Sequence, residues 1–159
     1  MNRIGFGTDI HRLEPGRPMV IGGIVIPSAF GPAGHSDGDV LLHAVTDALL
    51  GAVAAGDIGS HFPDTDERWR GADSTRFVLE ALSLTRERGY RIANVDATID
   101  LESPKLRPFI DAIRARVAEL LAVDVDCVSV KAKTGEGLGP VGSGSAISAT
   151  AAVLLERRS

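Results

Sequence analysis

Residues 33–43 read Ala33-Gly34-His35-Ser36-Asp37-Gly38-Asp39-Val40-Leu41-Leu42-His43, and the predicted fold is arranged around them. Apolar residues then recur at helical spacing, which predicts an α-helix over 40–55. Ser36 and Asp39 match the capping-box pattern, which would place His35 and Ser36 at the N-terminus of this helix. The free N–H groups and partial positive charge of a helix N-terminus favour an anion such as phosphate.

His43 lies four residues after Asp39, so both side chains fall on one face of the predicted helix, one turn apart. A histidine one turn beyond an anion-binding helix start indicates a metal-plus-phosphate site. The alternative is an ordinary capped helix in which His43 is a hydrogen-bonded structural residue. A second cluster of metal-ligand types elsewhere in the chain would favour the metal site.

The N-terminal segment supplies such a cluster. Residues 3–10 have strand character, interrupted by Gly5 and Gly7 where the backbone must pass close to another segment. Asp9 and His11 are two residues apart, so in an extended chain their side chains project to one face. With His43 they would give a divalent metal an Asp-His-His set and an open position for a substrate oxygen, as in catalytic zinc sites. A plain surface strand is the alternative, and His61 is a rival for the third ligand position.

Composition limits the classes of protein and ligand. The 159 residues suit a single catalytic domain, residues 1–159, and the 44% apolar and 24% charged content is that of a globular protein. The net charge of −4 argues against nucleic acid as the ligand, and a phosphate ligand would need metal ions to supply positive charge. The single Cys127 excludes an internal disulfide and fits a reducing cytoplasm. No run of about 18 apolar residues is present, so neither a membrane span nor a signal peptide is expected.

The remaining periodicity predicts strands and helices in irregular alternation. Gly22-Gly23 between two short apolar runs, 19–21 and 24–26, predicts a β-hairpin. Helices are predicted over 74–88 and from about 103 to 121, and strands over 94–102, 128–133 and 146–156, the last being ambiguous with helix. Together they predict an α/β (α+β) sandwich in which helices pack on one face of a single mixed β-sheet. The other face would have to be buried in a partner, which predicts a homo-oligomer.

Two loops carry further candidate residues. Residues 56–66 lack periodicity and contain three acidic residues, which predicts a functional loop, with a solvated acidic turn as the alternative. The loop Thr134-Gly135-Glu136-Gly137-Leu138-Gly139 follows a strand, and Thr134 would donate to a phosphate while Glu136 binds a metal. Short glycine loops are common, so this second pattern is weak by itself.

With these pieces in place, the chain resembles the 2-C-methyl-D-erythritol 2,4-cyclodiphosphate synthase family of the non-mevalonate isoprenoid pathway over essentially its whole length. The motifs stand in the family's order and spacing: Gly5-Phe6-Gly7-Thr8-Asp9-Ile10-His11, Gly34-His35-Ser36-Asp37-Gly38-Asp39 with His43, Gly56-Asp57-Ile58-Gly59, Phe62-Pro63-Asp64-Thr65-Asp66, Pro104-Lys105, and Lys131-Ala132-Lys133-Thr134 with Glu136. Several of these motifs are weak individually, but the set is specific.

The resemblance implies a cyclising phosphorus–oxygen lyase. In the family, the 2-phosphate of a CDP-linked methylerythritol attacks the β-phosphate, which expels CMP and closes a cyclic diphosphate. The resemblance implies zinc at Asp9, His11 and His43, and magnesium or manganese held with the help of Glu136. It assigns stabilisation of the transition state to His35 and Thr134.

The resemblance also implies two groups of substrate-binding residues. The first comprises Asp9, Ile10, His11, His35, Ser36, Asp57, Ile58, Gly59, Phe62, Pro63, Asp64, Thr65 and Asp66. The second comprises Leu101, Glu102, Ser103, Pro104, Lys105, Leu106, Arg107, Lys133, Thr134, Gly135 and Glu136. Within it, the segment 101–107 and Lys133 would receive the cytidine nucleotide. In the family these groups come from neighbouring subunits, which implies a cytoplasmic homotrimer with interfacial sites and a small-molecule substrate.

One departure from the family pattern concerns the central cavity of that trimer. Ser143 and Ser145 stand where family members often carry an arginine and a glutamate that rim the cavity. Losing the arginine removes a bidentate phosphate clamp, so we do not expect an isoprenoid diphosphate to bind there.

Two other functions use parts of the same pattern. A metal-dependent hydrolase of nucleotide diphosphates would need a general base, for which His61 is the unassigned candidate. A non-catalytic metal- or nucleotide-binding module would need the Asp-His-His set but not Glu136 and Thr134.

Overall fold

Seven strands and five α-helices are found within residues 1–158, the part of the chain that this computed structural model describes. The strands are β1 (Arg3–Pro15), β2 (Met19–Ile21), β3 (Ile24–Ile26), β4 (Phe30–Pro32), β5 (Tyr90–Asp100), β6 (Val128–Lys133) and β7 (Ala146–Arg157). The helices are α1 (Val40–Ala52), α2 (Ile58–His61), α3 (Thr75–Glu87), α4 (Ile110–Leu121) and α5 (Gly139–Gly142). Short 3₁₀ turns cover Glu67–Trp69, Arg107–Phe109 and Val125–Cys127.

Five strands form one mixed sheet in the order β4-β1-β7-β5-β6. The β5–β6 pair is parallel and the other pairs are antiparallel, while β2 and β3 form a separate hairpin around Gly22-Gly23. Helix α1 packs on β1 and β7, α3 packs on α1, and α4 packs on β6. The predicted sandwich of helices on a mixed sheet is therefore confirmed, as are the hairpin and the assignment of residues 146–156 to a strand.

The two glycines of β1 determine how closely α1 approaches the sheet. A Cβ atom at Gly5 would lie 1.8 Å from the carbonyl oxygen of Ala48, and one at Gly7 would lie 2.0 Å from that of Ala44. The backbone of α1 therefore rests directly on β1, as the sequence interpretation of these glycines required. This contact brings the middle of β1, which carries Asp9, next to the first turn of α1.

The start of α1 differs from the prediction, because Asp39 rather than Ser36 is its N-cap. Its carboxylate accepts hydrogen bonds from the backbone N–H groups of Leu42 (3.1 Å), Gly22 (2.9 Å) and Gly23 (2.8 Å). Burial raises the pKa of Asp39 to about 6, so its ionised form at neutral pH depends on these three donors. The capping-box assignment of Ser36 was wrong, since Asp39 has the extended backbone of a cap and also fastens the hairpin to the helix.

Other element boundaries also differ from those predicted. Strand β1 continues past residue 10 to Pro15, because it pairs there with the three-residue strand β4. The helix predicted from about residue 103 begins at Ile110, after a 3₁₀ turn that contains Pro108. Helix α2 lies inside the loop 56–66 and is only four residues long, too short for a periodicity signal.

The outer face of β1 carries exposed apolar side chains. Ile4, Phe6 and Ile10 are 77%, 65% and 59% exposed on the face opposite to α1.

Within residues 1–158, none of the helices combines the length and the apolar character that a membrane crossing requires.

Candidate metal centre and substrate cavities

Asp9, His11 and His43 come together where the middle of β1 meets the first turn of α1. The Oδ2 atom of Asp9 lies 2.7 Å from Nε2 of His11 and 3.0 Å from Nδ1 of His43, and these two nitrogens are 3.2 Å apart. One ligand atom from each residue lies within 4.8 Å of the others. The predicted metal-ligand set of Asp9, His11 and His43 is thus assembled at one point.

The remaining nitrogen of each histidine is held by a partner outside the cluster. Nδ1 of His11 lies 2.8 Å from the carbonyl oxygen of Ala33, which can only accept, so that nitrogen carries the proton. Nε2 of His43 lies 2.8 Å from the hydroxyl of Ser74 and 3.2 Å from that of Ser36. Both rings therefore present the other nitrogen to Asp9, as histidine ligands of metals do.

The charges of the cluster suit a divalent cation. Burial opposes ionisation of Asp9, but hydrogen bonds from His11 and His43 outweigh it and lower its pKa to about 2. Burial likewise opposes protonation of His11, yet the Asp9 carboxylate raises the pKa of that imidazole. The cluster thus attracts positive charge, and a bound metal ion would take the place of the proton on His11. A carboxylate and two imidazoles whose rings are already oriented fit zinc or another divalent metal of borderline softness.

His61 does not join this cluster. It is exposed at the end of α2, and its Nε2 atom lies 2.8 Å from the carbonyl oxygen of Ala55. The structure therefore removes the rival for the third ligand position.

A cavity of about 440 Å³ opens beside the cluster. It is lined by His11, Gly34, His35, Ser36, His43, Ile58, Gly59, Phe62, Pro63, Asp64, Trp69 and Phe77. Most of these residues belong to the first predicted substrate group. The Nε2 atom of His35 lies 3.2 Å from the carbonyl oxygen of Asp66, which ties the two loops together at the cavity.

A second cavity, of about 510 Å³, lies where the parallel strands β5 and β6 end. It is lined by Leu101, Lys105, Leu106, Arg107, Ile110, Asp111, Val130, Lys131, Ala132, Lys133 and Thr134. Four cationic side chains against one carboxylate make it suitable for a phosphorylated ligand. No residue lines both cavities, so within one chain the metal cluster and this cationic cavity are separate.

The loop after β6 lies next to the second cavity. The hydroxyl of Thr134 donates to Oε1 of Glu136 at 3.1 Å, and the N–H of Gly135 donates to Oε2 of Glu102 at 2.8 Å. Glu136 has a positive φ of 52°, so its carboxylate is presented on a tight turn.

A family model described as the YgbB family matches residues 2–156. The chain belongs to the YgbB family. Its relative in Solibacter usitatus, a 2-C-methyl-D-erythritol 2,4-cyclodiphosphate synthase, is 56% identical over 155 residues, which cover 98% of each chain. The resemblance drawn from the motifs is confirmed.

Two solved structures of similar proteins superpose closely on this chain. The bifunctional IspDF from Campylobacter jejuni matches with a TM-score of 0.95 and 37% identity, over 99% of this chain and 42% of that chain. A CDP-bound form of 2C-methyl-D-erythritol-2,4-cyclodiphosphate synthase matches with a TM-score of 0.90 and 45% identity, over 97% of this chain and 100% of that chain.

Several residues predicted to contact substrate lie outside both cavities of this YgbB chain. Ile10 points to the opposite face of β1, Asp57 caps α2 by accepting from the N–H of Ser60 at 2.8 Å, and Asp66 pairs with Arg68. Thr65, Glu102, Ser103, Pro104, Gly135 and Glu136 also do not line either cavity. Their roles in substrate binding remain predictions.

Two aromatic residues were missed by the sequence analysis. Phe77 has the helical spacing of a core residue in α3, yet its ring centre lies 4.6 Å from that of Phe62 at the cavity. Trp69 packs edge-on against both rings, and its indole N–H is buried without a hydrogen-bond partner within residues 1–158. The sequence feature that could have identified Trp69 as a cavity residue is its position shortly after the acidic segment Asp64 to Asp66.

Proposed function

We propose that this chain is a 2-C-methyl-D-erythritol 2,4-cyclodiphosphate synthase that converts 4-CDP-2-C-methyl-D-erythritol 2-phosphate to the cyclic diphosphate and CMP. The observation that carries the proposal is the preset cluster of Asp9, His11 and His43 beside a cavity, in a chain 56% identical to a protein of that name. In this phosphorus–oxygen lyase reaction, an oxygen of the 2-phosphate forms a bond to the β-phosphorus. The bond from that phosphorus to the bridging oxygen breaks, and its electron pair leaves with CMP.

The residues of the first cavity would hold the reacting phosphates. Zinc bound by Asp9, His11 and His43 would supply a Lewis acid that polarises a phosphoryl oxygen. His35 lies in the same cavity, and the carbonyl of Asp66 accepts from its Nε2, which would hold the ring beside the reacting phosphates. The chain's main contribution is to orient nucleophile and electrophile of one molecule, which makes the attack intramolecular.

The second cavity would receive the cytidine nucleotide. Lys105, Arg107 and Lys133 bring positive charge to its phosphates. The hydroxyl of Thr134, which donates to Glu136 in this structure, would donate to the transition state once Glu136 binds a metal ion. Glu136, on the adjoining turn, would help to hold magnesium or manganese. CDP is the ligand named for the similar solved structure, which supports a cytidine nucleotide here.

Phosphorus NMR would test the function directly. The substrate, zinc, magnesium and enzyme are incubated together, and we expect CMP to appear with a matched pair of coupled cyclic-diphosphate signals. CMP with an open-chain bisphosphate would mean that water is the nucleophile, and a hydrolase would replace the synthase. Metal binding without turnover would indicate a binding module.

A homotrimer would bring the two cavities together between chains. Each chain separates its metal cluster from its cationic cavity, and the bare sheet face offers Ile4, Phe6 and Ile10 to a partner. Exposed apolar side chains grouped on one face, as these are, mark protein interfaces. We place this assembly in the cytoplasm, where the lone Cys127 would stay reduced.

Replacing Phe6 with aspartate is expected to dissociate the trimer and to remove most of the activity. Burying a phenylalanine contributes about 1.5–3 kcal/mol, and each chain would lose that contact and bury a charge instead. Sedimentation velocity together with CMP release would measure both effects. The matched control is Leu79→Asp, since Leu79 is 49% exposed on α3. A monomeric, fully active wild type would contradict the composite site.

A further inference from the structure

We infer that Asp37 and Ser74 are positioning residues that fix His43 as a metal ligand. This inference rests on the metal centre of the proposed function and extends it to two side chains that touch neither metal nor substrate. The three residues form a hydrogen-bonded chain from a carboxylate through a hydroxyl to the outer nitrogen of the imidazole.

These hydrogen bonds are buried at His43 and Ser74 and partly buried at Asp37. Nε2 of His43 lies 2.8 Å from Oγ of Ser74, and the Ser74 hydroxyl donates to Oδ1 of Asp37. The backbone N–H of Ser74 donates to Oδ2 of the same carboxylate at 3.0 Å, so Asp37 holds Ser74 by two atoms. Ser74 is fully buried, and His43 is 8% exposed.

The carboxylate of Asp37 determines which group donates in each of these hydrogen bonds. A serine hydroxyl can donate to or accept from an imidazole, so it does not by itself choose the tautomer of His43. An ionised carboxylate can only accept, so Asp37 accepts a hydrogen bond from the hydroxyl of Ser74. The serine oxygen must then accept from Nε2–H of His43, so Nδ1, which lies 3.0 Å from Asp9, is the nitrogen that can give its lone pair to a metal ion bound there.

The backbone around Ser74 supports this role for its hydroxyl. Ser74 occupies the N-cap position of α3, where a serine normally caps the helix, yet its side chain makes no capping hydrogen bond. The N–H groups that such a cap would accept from donate to backbone carbonyls instead, Arg76 to Asp73 at 3.1 Å and Phe77 to Ser74 at 3.1 Å. The hydroxyl of Ser74 is therefore committed to His43 and Asp37 rather than to the helix.

The loops that carry the two residues are fastened to each other. The N–H of Asp37 donates to the carbonyl of Ala72 at 3.0 Å, and the N–H of Gly71 donates to that of His35 at 2.7 Å. His11 achieves the same orientation with a single backbone carbonyl, that of Ala33. The ring of His11 is thus oriented by a backbone group and the ring of His43 by side chains. Only the hydrogen bonds that orient His43 can be removed by substituting side chains.

The test measures zinc binding, with Ser74→Ala and Asp37→Asn as the variants. Zinc affinity is measured by competition with a chromophoric chelator, and the visible spectrum of the Co²⁺-substituted protein reports the geometry of the ligands. We expect each variant to bind zinc about 10- to 100-fold more weakly, as for other partners of metal-binding histidines, and to show shifted Co²⁺ bands. The double variant should lose little more than either single variant, because both break one chain of contacts.

Two matched controls separate this effect from general disturbance. Ser83→Ala removes an exposed hydroxyl from the same helix, and Asp73→Asn neutralises an acidic residue beside Ser74. Both should keep the zinc affinity and the Co²⁺ spectrum of the wild type. Circular dichroism of the metal-free proteins checks folding, and Asp37→Asn decides the matter if Ser74→Ala does not fold.

The possible outcomes distinguish this inference from the proposed function. Wild-type protein that binds no zinc would overturn the metal centre itself. Tight zinc binding by the wild type, with both variants within twofold and with unchanged Co²⁺ bands, would overturn only the role of Asp37 and Ser74. Fully additive losses in the double variant would also overturn it, because they would show two independent effects.

Discussion

His43→Ala is expected to abolish zinc retention and to lower kcat by about a thousandfold, because a metal Lewis acid contributes several kcal/mol and each 1.4 kcal/mol is a factor of ten. Two of the three ligand pairs in the cluster involve His43, whose Nδ1 lies 3.0 Å from Asp9 and 3.2 Å from His11. Asp9 and His11 alone leave a metal with only two protein ligands. Zinc content after gel filtration and the rate of CMP release would be measured on the same preparation.

His61→Ala is the matched control for that experiment. It removes an imidazole that is exposed and hydrogen-bonded to Ala55 outside the cluster, so zinc content should be unchanged. Circular dichroism of the metal-free proteins shows whether His43→Ala is still folded. Activity that survives in His43→Ala without bound metal would contradict both the ligand assignment and the proposed mechanism.

The metal cluster could be predicted because it depends on local geometry. Period-2 alternation of β1 puts Asp9 and His11 on one face, and this holds wherever the strand lies. Gly5 and Gly7 further indicated that another backbone would approach that strand. The partner turned out to be α1, which brings His43 to the same place.

The start of α1 could not be read from local pattern, because its cap is chosen by tertiary contacts. Ser36 and Asp39 both match N-cap preferences, and spacing alone favoured Ser36. Asp39 is the N-cap because its second carboxylate oxygen also accepts a hydrogen bond from the hairpin at Gly23, a residue 16 positions earlier in the chain. Ser36 instead directs its hydroxyl to His43.

The cavity walls were also only partly accessible from the sequence. Helix α2 has four residues and the 3₁₀ turn at Trp69 has three, too few for a periodic pattern in the sequence. Phe77 has the spacing of a core residue, and pattern analysis cannot tell a core position from a cavity wall. The placement of these rings follows from packing between α2, α3 and the loop that joins them.

Asp39→Ala is expected to lower the free energy of unfolding by about 3 to 5 kcal/mol, because it leaves three backbone donors without their acceptor and each unsatisfied group costs about 1–3 kcal/mol. The carboxylate binds the N–H groups of Gly22, Gly23 and Leu42, and Asp39 is fully buried, so water cannot fully replace it. Urea unfolding at one protein concentration and with chelator present would measure the loss without a contribution from bound metal. Asp124→Ala is the matched control, because Asp124 also precedes a helical turn but makes no capping hydrogen bond, and its stability should match the wild type. If the two variants were equally stable, Asp39 would not be the residue that joins the hairpin to α1. The expected loss is large because one side chain both begins the helix that carries His43 and fastens the hairpin to it.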